Sequence, residues 1–129
     1  MTEKTCAERI DETAAYTLGE LRRLWESYCQ GTEEYEGEFH EYGLEFNYRE
    51  PDDDRAHWYY LITCGGPHIE IRFYTDAARR LFHVSFCLGD WGDWSEKFLR
   101  DDDKRLCQEI WEFFDECGCV EQVQAEYTA

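Results

Sequence analysis

Four stretches between residues 44 and 88 alternate apolar and polar side chains with period two, and this pattern constrains the fold more than any other feature of the chain. Leu44, Phe46 and Tyr48 share one face of the first stretch. Trp58, Tyr60 and Ile62 share a face of the second, with Tyr59 and Leu61 opposite. Ile69, Ile71 and Phe73 share a face of the third, against Glu70, Arg72 and Tyr74. Phe82, Val84, Phe86 and Leu88 share a face of the fourth. A side chain that changes face at every step marks a strand. The spacing predicts strands within 43–49, 57–64, 68–74 and 80–88. The connections are short and turn-rich: Glu50-Pro51-Asp52-Asp53-Asp54, Gly65-Gly66-Pro67 and Thr75-Asp76-Ala77-Ala78. A parallel crossover needs about a dozen residues or more, so the expected sheet is a four-stranded antiparallel meander. Gly89-Asp90-Trp91-Gly92-Asp93-Trp94 reads as a loop closing the fourth strand.

Helical spacing appears on both sides of these strands. Residues 1–16 are polar with scattered Ala and support a short helix around Ala7–Ala15. Thr17-Leu18-Gly19-Glu20 has the spacing of a capping box. Leu18, Leu21, Leu24, Trp25 and Tyr28 follow at helical intervals, predicting a helix over 18–29 that Gly31 stops. A second helix is expected over 102–117. The carboxylates of Asp101, Asp102 and Asp103 favour its N-terminus, and Leu106, Ile110, Phe113, Phe114 and Cys117 form its apolar stripe. Gly118 suits the position just past its end. The segment from Val120 onward takes no assignment. The expected architecture is α+β: helices from both ends of the chain cover one sheet face, and the other face is partly open with exposed aromatics. With 129 residues the chain fits one domain, because two would each be too small for a good core.

The charge is extreme. Thirty Asp and Glu face thirteen Lys and Arg, for a formal charge of −17. Disordered acidic chains lack aromatics, whereas this one is 17% aromatic and 43% hydrophobic, enough for a packed interior. Such a surface repels nucleic acid and anionic membranes and steers basic proteins into encounter. The acids are also unevenly placed. Residues 56–88 contain only Glu70 and Asp76. Residues 31–55 contain Glu33, Glu34, Glu36, Glu38, Glu41, Glu45, Glu50, Asp52, Asp53 and Asp54. Residues 89–103 add Asp90, Asp93, Glu96, Asp101, Asp102 and Asp103. In an extended chain Glu34, Glu36 and Glu38 would point the same way at ~6.6 Å intervals, from the ~3.3 Å rise of a strand. That is comparable to the spacing of neighbouring phosphates along one DNA strand. A solvated acidic loop without a partner explains the same residues; the interleaved Tyr and Trp favour an interface, since aromatics often supply binding hot spots.

Signals for chemistry are weak. Cys64 and His68 form a C-x3-H pair and Cys117 and Cys119 a C-x-C pair, but zinc sites need better-matched pairs. No nucleophile motif surrounds Cys64, Cys87, His57, His68 or His83, and Gly65-Gly66 reads as a turn, not a phosphate loop. Neither catalytic residues, nor a metal site, nor a cofactor is expected. The seven cysteines follow no regular framework, and the N-terminal Met1-Thr2-Glu3-Lys4 lacks the apolar core of a signal peptide. No run approaches a membrane span. The expectation is a cytoplasmic protein with mostly buried, reduced thiols, among them Cys87 and Cys107 in the core. Adaptation to a high-salt cytosol also fits the acidity and the presence of only three Lys among thirteen bases; the cysteines and large aromatics argue against it.

In size, charge, aromatic-rich α+β pattern and lack of a catalytic motif, the whole chain resembles the small acidic DNA-mimic inhibitors encoded by phages and mobile elements, of the antirestriction and anti-CRISPR types. The segment Glu33–Glu41, the turn Asp52–Asp54 and the run Asp90–Asp103 carry that resemblance. It implies a non-catalytic inhibitor in the host cytoplasm. Its partner would be the basic DNA-binding groove of a nuclease, with the PAM-reading groove of a CRISPR surveillance complex favoured for a chain this short. It would not bind nucleic acid directly. Glu33, Glu34, Glu36, Glu38, Glu41, Asp52, Asp53, Asp54, Asp90, Asp93, Glu96, Asp101, Asp102 and Asp103 would make the contacts. An antirestriction protein, another acidic interaction module and an enzyme of unrecognised chemistry are the alternatives.

Overall fold

The computed structural model describes residues 4–30, 43, 45–49, 57–64, 66–76 and 78–128. The fold is α+β. Helix α1 spans Cys6–Gln30, and strands β1 (Glu45–Arg49), β2 (His57–Thr63), β3 (His68–Thr75), β4 (Leu81–Asp90) and β5 (Asp93–Phe98) follow. Helices α2 (Asp101–Glu116) and α3 (Cys119–Thr128) end the chain. The strands form an open antiparallel sheet in the order β1-β2-β3-β4-β5. Among the described residues the sheet therefore has one strand more than the four expected. The extra strand, β5, lies in part where the sequence reads as a loop. Its apolar residues Trp94 and Phe98 sit at positions paired with Gly89 and Ser85, on the face away from the helices, while Ser95 and Lys97 lie opposite Leu88 and Phe86. The usual correspondence of apolar side chains with the helix-covered face is inverted in β5, so its periodicity carries no strand signature of the expected phase.

Helix α1 is one continuous element rather than a short helix followed by a second. Its capping box is Thr5-Cys6-Ala7-Glu8: the Glu8 amide donates to Thr5 Oγ1 at 3.2 Å and the Thr5 amide donates to Glu8 Oε1 at 3.0 Å. Thr17, expected as a cap, lies buried mid-helix. Ile10, Ala14, Thr17, Leu18, Leu21, Leu24 and Trp25 make one buried stripe across the whole length. Helix α2 buries Leu106, Cys107, Ile110, Trp111 and Phe114. Cys117, expected in this stripe, is exposed; Trp111 supplies the bulk instead. Gly118, with φ 87°, takes the left-handed position after the helix, as expected.

The core is an aromatic seam between the sheet and α2. Phe46 stacks on Phe114 with ring centroids 4.3 Å apart, and Trp111 packs 5.4 Å from Phe73 and 5.7 Å from Trp58. Ile71, Val84, Phe86 and Leu88 complete the covered sheet face. Phe82, expected on that face, is exposed. Tyr74 pairs with His83 and Thr75 with Leu81, so Phe82 is the extra residue of a bulge, and Leu81 packs against the core in its place.

Candidate functional site

Eight of the fourteen acids expected to contact a partner, Glu33, Glu34, Glu36, Glu38, Glu41, Asp52, Asp53 and Asp54, lie outside the described residues. The remaining six do not form one row. Asp90 accepts a salt bridge from Arg9 at 2.8 Å. Asp93 Oδ2 accepts the Cys6 amide at 2.7 Å, at the start of α1, and its Oδ1 accepts the Trp94 amide at 2.9 Å. These two amides hold the Asp93 carboxyl below its usual range. Glu96 turns onto the sheet face away from the helices. Asp103 pairs with Arg22 at 3.0 Å, joining α2 to α1. Asp101 and Asp102 stand exposed at the N-terminus of α2. Four of the six are thus engaged within the fold.

Helical spacing reveals other outward carboxylates that a search for acidic runs misses. Glu109, Glu112 and Glu116 are exposed and fall three and four residues apart on the solvent side of α2. With Asp102 they make a stripe interrupted by Arg105. On α1, Glu8, Asp11, Glu12 and Glu26 are exposed, with Asp11 meeting Lys97 of β5 at 2.7 Å.

The sheet face away from the helices carries a polar network that the acidic runs do not announce. Glu70 is 0% exposed. Its Oε1 meets His68 Nε2 at 2.6 Å, and its Oε2 accepts from Arg72 Nε at 2.8 Å. The Arg72 guanidinium lies 4.9 Å from the centre of the Trp94 ring. Glu96 Oε2 accepts from Tyr74 Oη at 2.7 Å and Ser85 Oγ at 2.6 Å, and stands 3.9 Å from Arg72. Cys87 lies beside Ser85, with Oγ and Sγ 3.7 Å apart. The strand register explains the assembly: Arg72 pairs with Ser85, and Glu70 with Cys87, which in turn pairs with Glu96. Period-two charge in β3 was visible in the sequence; the Glu96 half of the network depends on β5.

This network is bonded within itself. Burial pushes the Cys87 thiol up to about 12, and burial together with the Glu96 hydrogen bond raises the Tyr74 phenol. Both groups keep their protons at neutral pH, so neither is an activated nucleophile. A shallow cleft of about 570 Å³ adjoins His68, lined also by Gly66, Gly89, Asp90, Asp93 and Trp91, a residue 90% exposed. Among the described residues no group of three or more His, Cys, Asp or Glu side chains is placed to hold a metal ion. No described helix is long and apolar enough to cross a membrane. No family model, curated protein sequence or solved structure matches the chain.

Proposed function

We propose that this protein is a non-catalytic inhibitor of the anti-CRISPR type. It acts in the host cytoplasm by presenting carboxylates to the basic DNA- and PAM-binding groove of a CRISPR effector complex. The observation that carries this reading is the excess of thirty acids over thirteen bases, together with the outward placement of Glu109, Glu112 and Glu116 on one side of α2. A rigid helix holds such a row at fixed intervals, with ~4.5 and ~6 Å of axial rise between carboxylates three and four residues apart. Lys and Arg that hold a phosphate backbone form charge-assisted hydrogen bonds to carboxylates as well. Glu34, Glu36 and Glu38 add a second candidate row. The protonated states of Cys87 and Tyr74 favour binding over nucleophilic chemistry on the other sheet face.

The test is displacement of duplex DNA from a panel of CRISPR surveillance complexes and restriction enzymes, followed by mobility shift. Wild-type protein is expected to compete with DNA for one of the CRISPR complexes, more weakly as salt rises from about 50 to 200 mM. Changing Glu109, Glu112 and Glu116 together to Lys should weaken competition by at least tenfold, the equivalent of about 1.4 kcal/mol. The triple change of Glu34, Glu36 and Glu38 to Lys should do likewise if the second row contributes. Capture of a restriction enzyme alone would move the target to the antirestriction class. Inhibition unchanged by both triple variants would remove the acidic rows from the mechanism.

A further inference from the structure

The C-x-C motif Cys117-Gly118-Cys119 forms the junction between α2 and α3, and nothing in the acidic-surface reading uses it. Cys117 closes α2 and is exposed; Cys119 opens α3 and is half-buried against the core. Their sulfurs lie 3.1 Å apart. The five other thiols are placed differently. Cys6, Cys87 and Cys107 are buried, and burial pushes Cys87 and Cys107 up to about 12. Cys29 and Cys64 are exposed, at the end of α1 and just after β2.

We propose that Cys117 and Cys119 are a reversible dithiol–disulfide couple, oxidised by a low-molecular-weight disulfide of the glutathione type. The geometry requires little movement. A disulfide bond is about 2.05 Å long, so the sulfurs need approach by only about 1 Å. Gly118, with φ 87°, turns the chain between two cysteines whose sulfurs already lie in contact. Cys119 packs against the core next to buried Val120, so the required movement falls to exposed Cys117.

Exposure makes Cys117 the sulfur that a dissolved disulfide reaches. After losing its proton, Cys117 attacks one sulfur of glutathione disulfide. The S–S bond of the reagent breaks, a mixed disulfide forms at Cys117, and the first glutathione leaves and takes up a proton. Cys119 then loses its proton and attacks Cys117 Sγ. The mixed disulfide breaks, and the second glutathione leaves and is protonated. The protein loses two protons and two electrons, and one glutathione disulfide becomes two glutathione thiols. Burial and the adjacent Cys117 sulfur push Cys119 up to about 11, which slows its attack, so the resolving step relies on the sulfur being held 3.1 Å from Cys117 Sγ.

The full chain would be equilibrated without oxygen in glutathione buffers from reducing to oxidising, quenched in acid, alkylated and cleaved after glutamate. Cleavage after Glu116 and Glu121 isolates a peptide containing these two cysteines and no other. Under oxidising conditions this peptide is expected to lose two hydrogens and resist alkylation, and to return to the doubly alkylated form when reduced glutathione is restored. Cys119→Ser should accumulate severalfold more glutathione on Cys117, because the resolving sulfur is gone. A wild-type peptide that stays doubly alkylated, or carries glutathione without an internal bond, overturns the proposal. So does a Cys119→Ser variant with no more glutathione on Cys117 than the wild type. The wild-type measurement decides the matter even if the variant folds poorly.

Discussion

Glu70 shows how a single buried charge can be held at this sheet. It is 0% exposed, and its two oxygens meet His68 and Arg72. Removing it takes the nearer carboxylate, at 2.8 Å, from a half-buried guanidinium and leaves it only the more distant Glu96 at 3.9 Å. Glu70→Ala is therefore expected to cost about 3–5 kcal/mol, as for other broken buried pairs, read from urea unfolding with the slope unchanged. Pairing Glu70→Leu with Arg72→Met should recover most of that loss, since replacing both partners by apolar groups is often neutral. A double variant as unstable as Glu70→Ala, with neither charge left and an apolar side chain at position 70, would show that an unpaired Arg72 is not the source of the loss. Asp93 offers a pH test. The Cys6 and Trp94 amides lower its pKa from the ordinary value of 3.8. A carboxyl lowered on folding contributes stability that is fully present above its unfolded pKa and is lost as pH falls through the folded one. Asp93→Asn keeps an acceptor at the cap but cannot titrate. The stability difference between wild type and Asp93→Asn should be flat above about pH 5 and shrink as pH falls below the unfolded value. A difference independent of pH down to acid unfolding would contradict this role.

The helices and strands were legible in proportion to how well local pattern agreed with tertiary environment. Gly19 illustrates a local conflict in α1. It sits exposed in the middle of the helix, and a Cβ there would meet no atom within 4 Å. Gly19→Ala should therefore stabilise the fold by about 0.5–1 kcal/mol, the usual helix-interior difference; thermal unfolding checks it, and a destabilised variant would mean that the glycine serves close approach to a partner. Thr17 and Gly19 also look like a boundary in sequence, which is why one helix reads as two. The true start, Thr5 with Glu8, is a capping box as well, but the buried residues after it, Ile10 and Ala14, are too sparse to advertise a stripe. Strands β2 to β4 were readable because their apolar residues face the helices in phase, apart from the Phe82 bulge. Strand β5 was not, because Ser95 and Lys97 occupy its helix-side positions while Trp94 and Phe98 look outward. Losing β5 also hid the site that it completes: Glu96 reads as one more acid in a run, yet it bonds Tyr74 and Ser85. Asp90, Asp93 and Asp103 read as surface charge for the same reason, since their partners Arg9, Cys6 and Arg22 lie more than eighty residues away in α1.

At the scale of the whole molecule, the charge sets a balance between attraction within pairs and repulsion across the surface. Ion pairs such as Arg9–Asp90, Arg22–Asp103 and Lys97–Asp11 bind elements together. Even if every one of the thirteen bases neutralised one acid, seventeen of the thirty acids would remain, 30 minus 13. Repulsion among these acts over longer distances than the pairs and opposes the compact state. Salt screens the long-range part first. The screening length falls from ~30 Å at 0.01 M to ~10 Å at 0.1 M and ~3 Å at 1 M. The urea midpoint at pH 7 should therefore rise with sodium chloride over the first decade of concentration, with an unchanged slope, and flatten as the screening length drops below the distance between neighbouring carboxylates. Urea is the suitable denaturant because guanidinium is itself a salt. A protein adapted to a high-salt cytosol would instead keep gaining stability beyond 1 M, so the shape of the curve separates adaptation from an uncompensated acidic surface kept for a basic partner. A midpoint that falls with the first additions of salt would mean that attractive pairs outweigh the repulsion within the fold, and the acidic surface would then carry no stability cost for a partner to justify.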